Sequence, residues 1–195
     1  MKSIAMLGLL LGWVTSAAAQ TFHIEPANPV LLGDPVSIKL DGLPSDQAVT
    51  VIAERTIEAR NPSDPTVLYR SQAVFRASQG ALDLGTAKPQ SGTYGDADIR
   101  GLFWSMAPVE GGDTGGWKPN QVRLTATVAS RVLTTTTIEF VDGLPQVKVE
   151  QVKEFPGAVF ATLPGVSRRP AIILLGGSEG GSRTAILFAL AGGTL

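Results

Sequence analysis

The amino-acid sequence predicts a mainly β protein: an immunoglobulin-like β-sandwich followed by the opening of an α/β domain. Residues 22–141 consist of short runs in which apolar and polar side chains alternate, separated by clusters of Gly, Pro, Asp and Asn. Such alternation is typical of half-buried strands, and about seven strands at this spacing are typical of a sandwich. A later run, Pro170–Leu175, is continuously apolar. That pattern favours a strand buried on both faces of a parallel sheet.

The first nineteen residues have the pattern of a secretory signal peptide. Lys2 provides a short positive region, Ile4–Val14 is an apolar run, and Ser16–Ala19 supplies the small residues of an Ala-x-Ala cleavage site. The apolar run is too short to span a bilayer comfortably. We therefore expect residues 1–19 to be removed, leaving a secreted or periplasmic chain without a stable membrane anchor. A buried N-terminal helix is the alternative.

Composition and charge narrow the functional classes. The 195 residues are 44% hydrophobic and 17% charged, as in globular chains that bury a core. The formal net charge is −1 and no block of basic residues occurs, so we expect no nucleic-acid partner. The absence of cysteine excludes disulfides, thiolate nucleophiles and cysteine-based metal sites within these residues. Histidine occurs once, as His23.

The predicted strands of the sandwich lie between turn signals such as Gly33-Asp34-Pro35 and the glycine-rich stretch 110–116. They are Val30–Leu32, Val36–Leu40, Val49–Ala53, Ala73–Arg76, Gly101–Ala107, Val122–Val128 and Val132–Phe140. Alternate positions of the last two are predicted to face the core, namely Val122, Leu124, Ala126, Val128, Ile138 and Phe140. Asp142–Pro145 ends this domain, which we place at residues 20–145.

Residues 146–195 are predicted to begin a second domain of a different class. Its predicted elements are strands at 147–154, 157–163 and Pro170–Leu175, the glycine-rich turn Gly176–Ser182 and a helix at Thr184–Ala191. Strand, glycine-rich turn and helix are the opening of an α/β unit. Because one helix and a few strands do not complete such a domain, we expect it to be truncated in this chain.

A serine motif lies in the glycine-rich turn. Gly176–Gly180 fits Gly-x-Ser-x-Gly, the pattern in which Ser178 would be a nucleophile between a strand and a helix. Such a serine needs a base within hydrogen-bond reach, usually histidine, and the 17 residues after Ser178 contain none. We interpret Gly176, Gly177 and Ser178 instead as an oxyanion loop that acts through backbone N–H groups. A purely structural turn is the alternative, and His23 is interpreted as a partly exposed sandwich residue.

One segment carries a resemblance to a known family. The run Gly92–Met106, with its Gly-x-Tyr turn, acidic loop and Gly-Leu-Phe-Trp-Ser-Met end, resembles the N-terminal domain of acyl-CoA thioesterases and bile acid-CoA:amino acid N-acyltransferases. Phe75–Leu84 is similar to the family segment before it. Leu174–Gly181 is similar to the glycine turn near the start of the family's hydrolase domain.

The resemblance implies an immunoglobulin-like domain joined to an α/β-hydrolase domain. In that family a Ser or Cys attacks the thioester carbonyl, a His acts as base and an Asp orients the His. None of the three maps to a position here, so we expect no catalytic residue, no cofactor and no metal, and an inactive truncated chain. Because CoA thioesters are scarce outside cells, the substrate of a full-length enzyme is expected to be an acyl thioester or another ester. An exported binding module without catalysis is the alternative function.

The family-like segment also has a direct physical interpretation. We predict Gly101–Ala107 as a strand, with Leu102 and Trp104 packing in the core on one face and Phe103 on the other. Asp96 and Asp98 flank a turn, where we expect them to cap the loop and not to transfer protons or bind metal.

Overall fold

A computed structural model describes residues 19–59, 61–111, 120–141 and 147–162, together with the single positions 165 and 173. This part of the chain is mainly β, with twelve strands and one helical turn. The strands are β1 (Thr21–Glu25), β2 (Val30–Leu31), β3 (Ser37–Asp41), β4 (Ala48–Ile57), β5 (Val67–Arg76), β6 (Ala81–Asp83), β7 (Ser91–Gly92), β8 (Ala107–Pro108), β9 (Gln121–Val128), β10 (Arg131–Val141), β11 (Lys148–Gln151) and β12 (Val159–Thr162). The helical turn α1 spans Gly101–Trp104.

The strands up to β10 form two sheets. The smaller sheet has the order β1-β3-β6, and the larger has the order β2-β10-β9-β4-β5-β7, with β8 also paired to β5. The pairs are antiparallel except for the short parallel contact between β2 and β10. Long neighbouring strands such as β4 and β5, ten residues each, form the centre of the larger sheet.

Both sheets contribute to one hydrophobic core, which makes the described residues between 19 and 141 a β-sandwich. In β4, Val49, Val51 and Ala53 are fully buried, while the residues between them are partly exposed. Ile38 and Leu40 of β3 are buried in the same cluster from the smaller sheet. Alternate side chains therefore meet between the sheets, as expected for two packed inner faces.

The predicted core positions on β9 and β10 are confirmed. Val122, Leu124, Ala126 and Ile138 are buried, and Val128 and Phe140 are partly buried and pack against the same cluster. The prediction of about seven strands was too low, because ten strands lie in the described part of residues 19–141. Strands such as β2, β7 and β8 have only two residues each, too few to show alternation in the sequence.

The predicted strand at Gly101–Ala107 is wrong. Gly101–Trp104 is the helical turn α1, and only Ala107–Pro108 is strand, as β8. Leu102 is fully buried whereas Trp104 is 65% exposed, so these two side chains do not share a core face.

The strands β11 and β12 form a two-stranded sheet of their own, which confirms the two strands predicted on either side of residues 155–157. The register places Val149 opposite Ala161 and Glu150 opposite Phe160. Among the residues of this hairpin, Val149, Phe155 and Phe160 have large exposed apolar side chains.

The predicted signal peptide, apart from Ala19, lies outside the described residues, as do the candidate oxyanion-loop residues Gly176, Gly177 and Ser178. The part of the chain that is described contains no helix with the length and apolarity needed to cross a bilayer.

Candidate functional site

The family-like segment forms a tight polar turn around α1, and Asp98 is its organising residue. The Asp98 carboxylate accepts a hydrogen bond from the Arg100 backbone N–H at 2.9 Å, and its C=O accepts one from Gly101 N–H at 3.0 Å. Trp104 N–H donates to the Arg100 C=O at 2.9 Å. The Asp98 side chain therefore closes an Asx turn in the loop before α1, while the helix N-cap itself, Arg100, makes no side-chain cap hydrogen bond. The predicted capping of the loop is confirmed for Asp98, while Asp96 is exposed beside Lys88.

Trp104 is exposed but held in place from two sides. Its indole Nε1–H donates to Asp98 Oδ2 at 3.1 Å. Its ring meets the Tyr94 ring edge-on, with centroids 6.2 Å apart. An edge-to-face aromatic pair and a charge-assisted hydrogen bond together restrict the rotamers of the indole. The result is a large apolar surface presented in a defined orientation.

Tyr94 is the buried ring that packs against this indole. Its side chain is buried, and among the described residues its hydroxyl has no hydrogen-bond partner. Burial, together with the nearby charge of Asp98, raises the pKa of Tyr94 to about 12. Gly101 lies against the ring, where a Cβ would come within 2.3 Å of a Tyr94 carbon atom. The close approach of ring and backbone therefore requires glycine at position 101.

The buried side of α1 packs against the large sheet, including its strand β10. The fully buried Ser71 hydroxyl donates to the Leu102 C=O. Thr93 and Ser105 share a hydrogen bond of 2.7 Å between their hydroxyl oxygens. The Phe103 ring packs edge-on against Phe140, with centroids 5.3 Å apart. We call Asp98–Ser105, with these contacts, the Trp104 turn.

The groups of the Trp104 turn are poorly suited to acid–base catalysis. The hydrogen bonds from the Trp104 indole and the Arg100 N–H hold the pKa of Asp98 below its ordinary value. The pKa of Tyr94 lies far above neutrality. A general acid or base works best when its pKa lies near the operating pH, and both groups are shifted away from it. The turn presents an aromatic surface rather than a proton-transfer pair.

His23 lies elsewhere, on β1 of the smaller sheet. Its Nε2 is 3.2 Å from Asp41 Oδ2 on the neighbouring strand β3, and both side chains are more than half exposed. This confirms the interpretation of His23 as an exposed sandwich residue. Ser178 lies outside the described residues.

A shallow groove of about 240 Å³ lies on the outer face of the large sheet. It is lined by Glu54, Thr56, Leu68, Gln121, Arg123 and Thr137. Glu54 follows the fully buried Ala53 and so points away from the core. The groove is smaller than common ligand pockets of roughly 300–1,000 Å³. Five of its six lining residues carry polar or charged side chains, although their apolar atoms contribute much of the surface.

Glu54 in this groove is paired with two arginines. Arg70 approaches one carboxylate oxygen at 2.6 Å and Arg123 the other at 2.8 Å. Burial raises the pKa of Glu54, but the hydrogen bonds and charges of the two guanidinium groups outweigh it and hold the pKa below its ordinary value. The described residues contain no cluster of acidic or histidine side chains that could hold a metal ion.

Sequence reasoning missed both the Asp98–Trp104 bond and this three-residue ion cluster. The register places Arg70 and Arg123 directly opposite Glu54 on the two neighbouring strands. The acidic and basic residues of these strands are visible in the sequence. Knowing which of them pair requires the order of the strands in the sheet. The Asp98–Trp104 bond depends on a helical turn that the apolar run Leu102-Phe103-Trp104 conceals.

Comparison with known proteins identifies the family. The family model described as "Acyl-CoA thioester hydrolase/BAAT N-terminal region" matches residues 33–154. The chain is 31% identical over 178 residues to acyl-coenzyme A thioesterase 6 of Mus musculus, covering 84% of this chain and 40% of that protein. It is 33% identical over 169 residues to bile acid-CoA:amino acid N-acyltransferase of Mus musculus, covering 77% of this chain and 38% of that protein.

A third relative matches over a shorter stretch. Acyl-coenzyme A thioesterase 1 of Rattus norvegicus is 33% identical over 89 residues, which cover 45% of this chain and 20% of that protein. The chain therefore spans less than half the length of each of these three relatives. The residues matched by the family model include the Trp104 turn, most of the sandwich and strand β11. The chain belongs to the acyl-CoA thioester hydrolase and bile acid-CoA:amino acid N-acyltransferase family, and residues 33–154 match its N-terminal region.

Proposed function

We propose that this chain contributes to an acyl-CoA thioester hydrolase or acyltransferase. Within it, residues 20–145 form an immunoglobulin-like, non-catalytic domain. The observation that carries the proposal is the family match over residues 33–154. The geometry supports a non-catalytic role for the sandwich: hydrogen bonds hold the pKa of Asp98 below its ordinary value, burial raises the pKa of Tyr94 to about 12, and the groove on the outer face has a volume of only about 240 Å³. The substrate class is an acyl thioester or a related ester.

The proposed catalytic domain begins at residue 146. Residues 146–195 supply its first strands and the glycine-rich turn at Gly176, Gly177 and Ser178. In this proposal the turn stabilises the oxyanion of a tetrahedral intermediate through backbone N–H groups, which need no particular side chain. Ser178 is then not the nucleophile. The Ser or Cys nucleophile, the Asp and the His of the family's triad have no counterparts among these 195 residues.

The proposal also includes export of the chain. Residues 1–19 have the charge and apolar pattern of a signal peptide, which places the mature protein in the periplasm or outside the cell. N-terminal sequencing of the protein recovered from that compartment is expected to start at Gln20. Recovery of protein that begins at Met1 in the cytoplasm would contradict it.

A thiol-release assay tests the enzymatic proposal. Hydrolysis of an acyl-CoA releases the CoA thiol, and residues 1–195 contribute no thiol to the background because they contain no cysteine. We expect protein expressed from its own gene to cleave acyl-CoA. The Ser178→Ala variant is expected to remain active, because alanine keeps the backbone N–H of residue 178. Gly177→Pro removes one N–H and is expected to lower kcat about 10²–10³-fold.

Two results would contradict this assignment. Loss of all activity in Ser178→Ala would make Ser178 the nucleophile. Absence of thioester or ester cleavage across acyl chain lengths would favour an exported binding module. Residues 1–195 by themselves are expected not to cleave acyl-CoA, because no histidine follows Ser178 and His23 pairs with Asp41 on the sandwich.

A further inference from the structure

The predicted cleavage site of the signal peptide lies directly against the sandwich. The proposed export removes residues 1–19, so the bond to be cut joins Ala19 to Gln20. The structure describes both residues, and β1 begins at the next position, Thr21. No linker therefore separates the bond to be cut from the first strand of the fold.

Gly42, in the turn after β3, contacts the chain on both sides of this bond. The side-chain amide of Gln20 donates to the Gly42 C=O at 3.1 Å. A Cβ on Gly42 would lie 2.6 Å from the Ala19 carbonyl oxygen and 3.1 Å from the Ala19 carbonyl carbon. The φ of Gly42 is +73°, so the backbone conformation and the close approach both favour glycine here. The carbonyl that a peptidase has to attack is thus packed against the backbone of this turn.

The pairing of β1 holds the same segment in place. The Thr21 hydroxyl lies 3.5 Å from the Ala19 carbonyl oxygen, and all five residues of β1 pair with β3. Phe22 and Ile24 of β1 pack against the hydrophobic core. An N-terminal segment that is tied into a sheet is ordered, even though Ala19 itself is exposed to solvent.

Cleavage and folding therefore place incompatible demands on Ala19 and Gln20. A peptidase binds the residues on both sides of the bond in its own cleft, and folded proteins are cut at segments that open out of the fold. Opening this segment breaks the contacts with Gly42 that lead into β1. Because β1 lies at the edge of the smaller sheet, its pairing can be delayed while the other strands assemble.

We propose that the bond between Ala19 and Gln20 is hydrolysed before β1 pairs with β3, and that the folded sandwich shields an uncut bond from the peptidase. Hydrolysis adds water to this amide and leaves a carboxylate on Ala19 and an ammonium group on Gln20. The new N-terminus then pairs as β1, with Gln20 bonded to Gly42. The inference rests on the proposed export and does not depend on the catalytic activity.

Cleavage of the 195-residue precursor by a signal peptidase in detergent micelles tests this order of events. In one arm the precursor is folded before the peptidase is added, and in the other it is diluted from urea directly into the peptidase. Mass spectrometry follows the loss of residues 1–19. We expect the folded precursor to be cut at least about tenfold more slowly, because cleavage then requires the segment to open first.

Two glycine variants isolate the contact at Gly42. Gly42→Ala is expected to speed cleavage of the folded precursor about tenfold, because its Cβ displaces Ala19. The matched control Gly33→Ala also adds a Cβ at a positive φ, +101°, but meets no atom within 4 Å and should leave the rate unchanged. Neither variant alters the residues at the cut, so both should be cut like wild type when diluted from urea.

The outcomes separate this inference from the export on which it rests. Equal rates for the folded and the urea-diluted wild type would overturn the shielding and leave the proposed export standing. Equal rates for folded Gly42→Ala and folded Gly33→Ala would also overturn it, and the two wild-type arms decide even where Gly42→Ala does not fold. Absence of cleavage in both arms would contradict the signal peptide itself, and the inference with it.

Discussion

The sandwich and the β11–β12 hairpin are built from similar sequence patterns but differ in what covers them. In the sandwich, Val51 and Leu124 are fully buried between two sheets. In the hairpin, Val149 and Phe160 lie on a two-stranded sheet and are largely exposed. Alternating apolar residues therefore specify strands in both regions, whereas burial depends on whether a second layer is present.

This difference also distinguishes what the two regions expose. The sandwich has its own core and carries the hydrogen-bonded indole of Trp104 on its surface. The strands of the hairpin pair only with each other, and its large apolar side chains are exposed.

The largest effect is expected from truncating the sandwich core. Leu124→Ala should lower the free energy of unfolding of the sandwich by about 3 kcal/mol, because a fully buried leucine leaves a cavity between the sheets. The matched hairpin variant Val149→Ala should change it by less than about 0.5 kcal/mol. Urea denaturation followed by circular dichroism measures both. Equal losses would show that the hairpin shares the sandwich core.

Gly101→Ala should have the next largest effect. A Cβ at this position would collide with the buried Tyr94 ring, so we expect a loss of about 2 kcal/mol from overpacking. Gly95→Ala in the same loop meets no atom within 4 Å and is expected to cost under about 0.5 kcal/mol. Thermal or urea unfolding of the pair distinguishes steric conflict from a general intolerance of the loop. Similar losses for both would refute the close contact.

Glu54→Gln should show a smaller loss that depends on pH. Folding lowers the pKa of Glu54 from its ordinary value of 4.5, so the fold favours the charged carboxylate. This contribution, about 1 kcal/mol after screening of the exposed arginines, is complete above the unfolded pKa and disappears as the pH falls through the lower folded value. Unfolding curves at pH 7 and pH 3 should therefore differ between wild type and variant mainly at pH 7. A difference that grows at acid pH would contradict the ion cluster.

Tyr94→Phe is expected to have the smallest effect. The buried hydroxyl has no partner among the described residues, so removing it should leave stability unchanged or raise it by up to about 1 kcal/mol. Tyr94→Leu serves as the control for the ring itself and should destabilise the Trp104 turn. A clear loss in Tyr94→Phe would mean that the hydroxyl is hydrogen-bonded.

Much of the sandwich followed from the sequence, because β9 alternates apolar and polar side chains and the buried positions of β9 and of the end of β10 were predicted residue by residue. The short strands did not, since two residues carry no period. The Trp104 turn was located by its family-like pattern, but its conformation was predicted wrongly. An apolar run favours a strand, and the Ser71–Leu102 hydrogen bond, which holds the helical turn against the sheet, joins residues 31 positions apart that the sequence does not pair.

The candidate site, too, was predicted only in part from the sequence. Asp98 was predicted to cap its loop because its type and position fit a local turn. The Glu54 cluster could not be predicted, because its three members come from three strands whose order is a property of the whole sheet. The glycine turn at Gly176–Ser178 remains a prediction.

Hydrogen–deuterium exchange of the wild-type chain tests most directly whether the sandwich is stable without help from the hairpin. The account predicts exchange in β4, β5 and β9 that is at least about a hundredfold slower than in β11 and β12, because only the sandwich strands are covered by a second layer. Equal exchange in the two regions would contradict it.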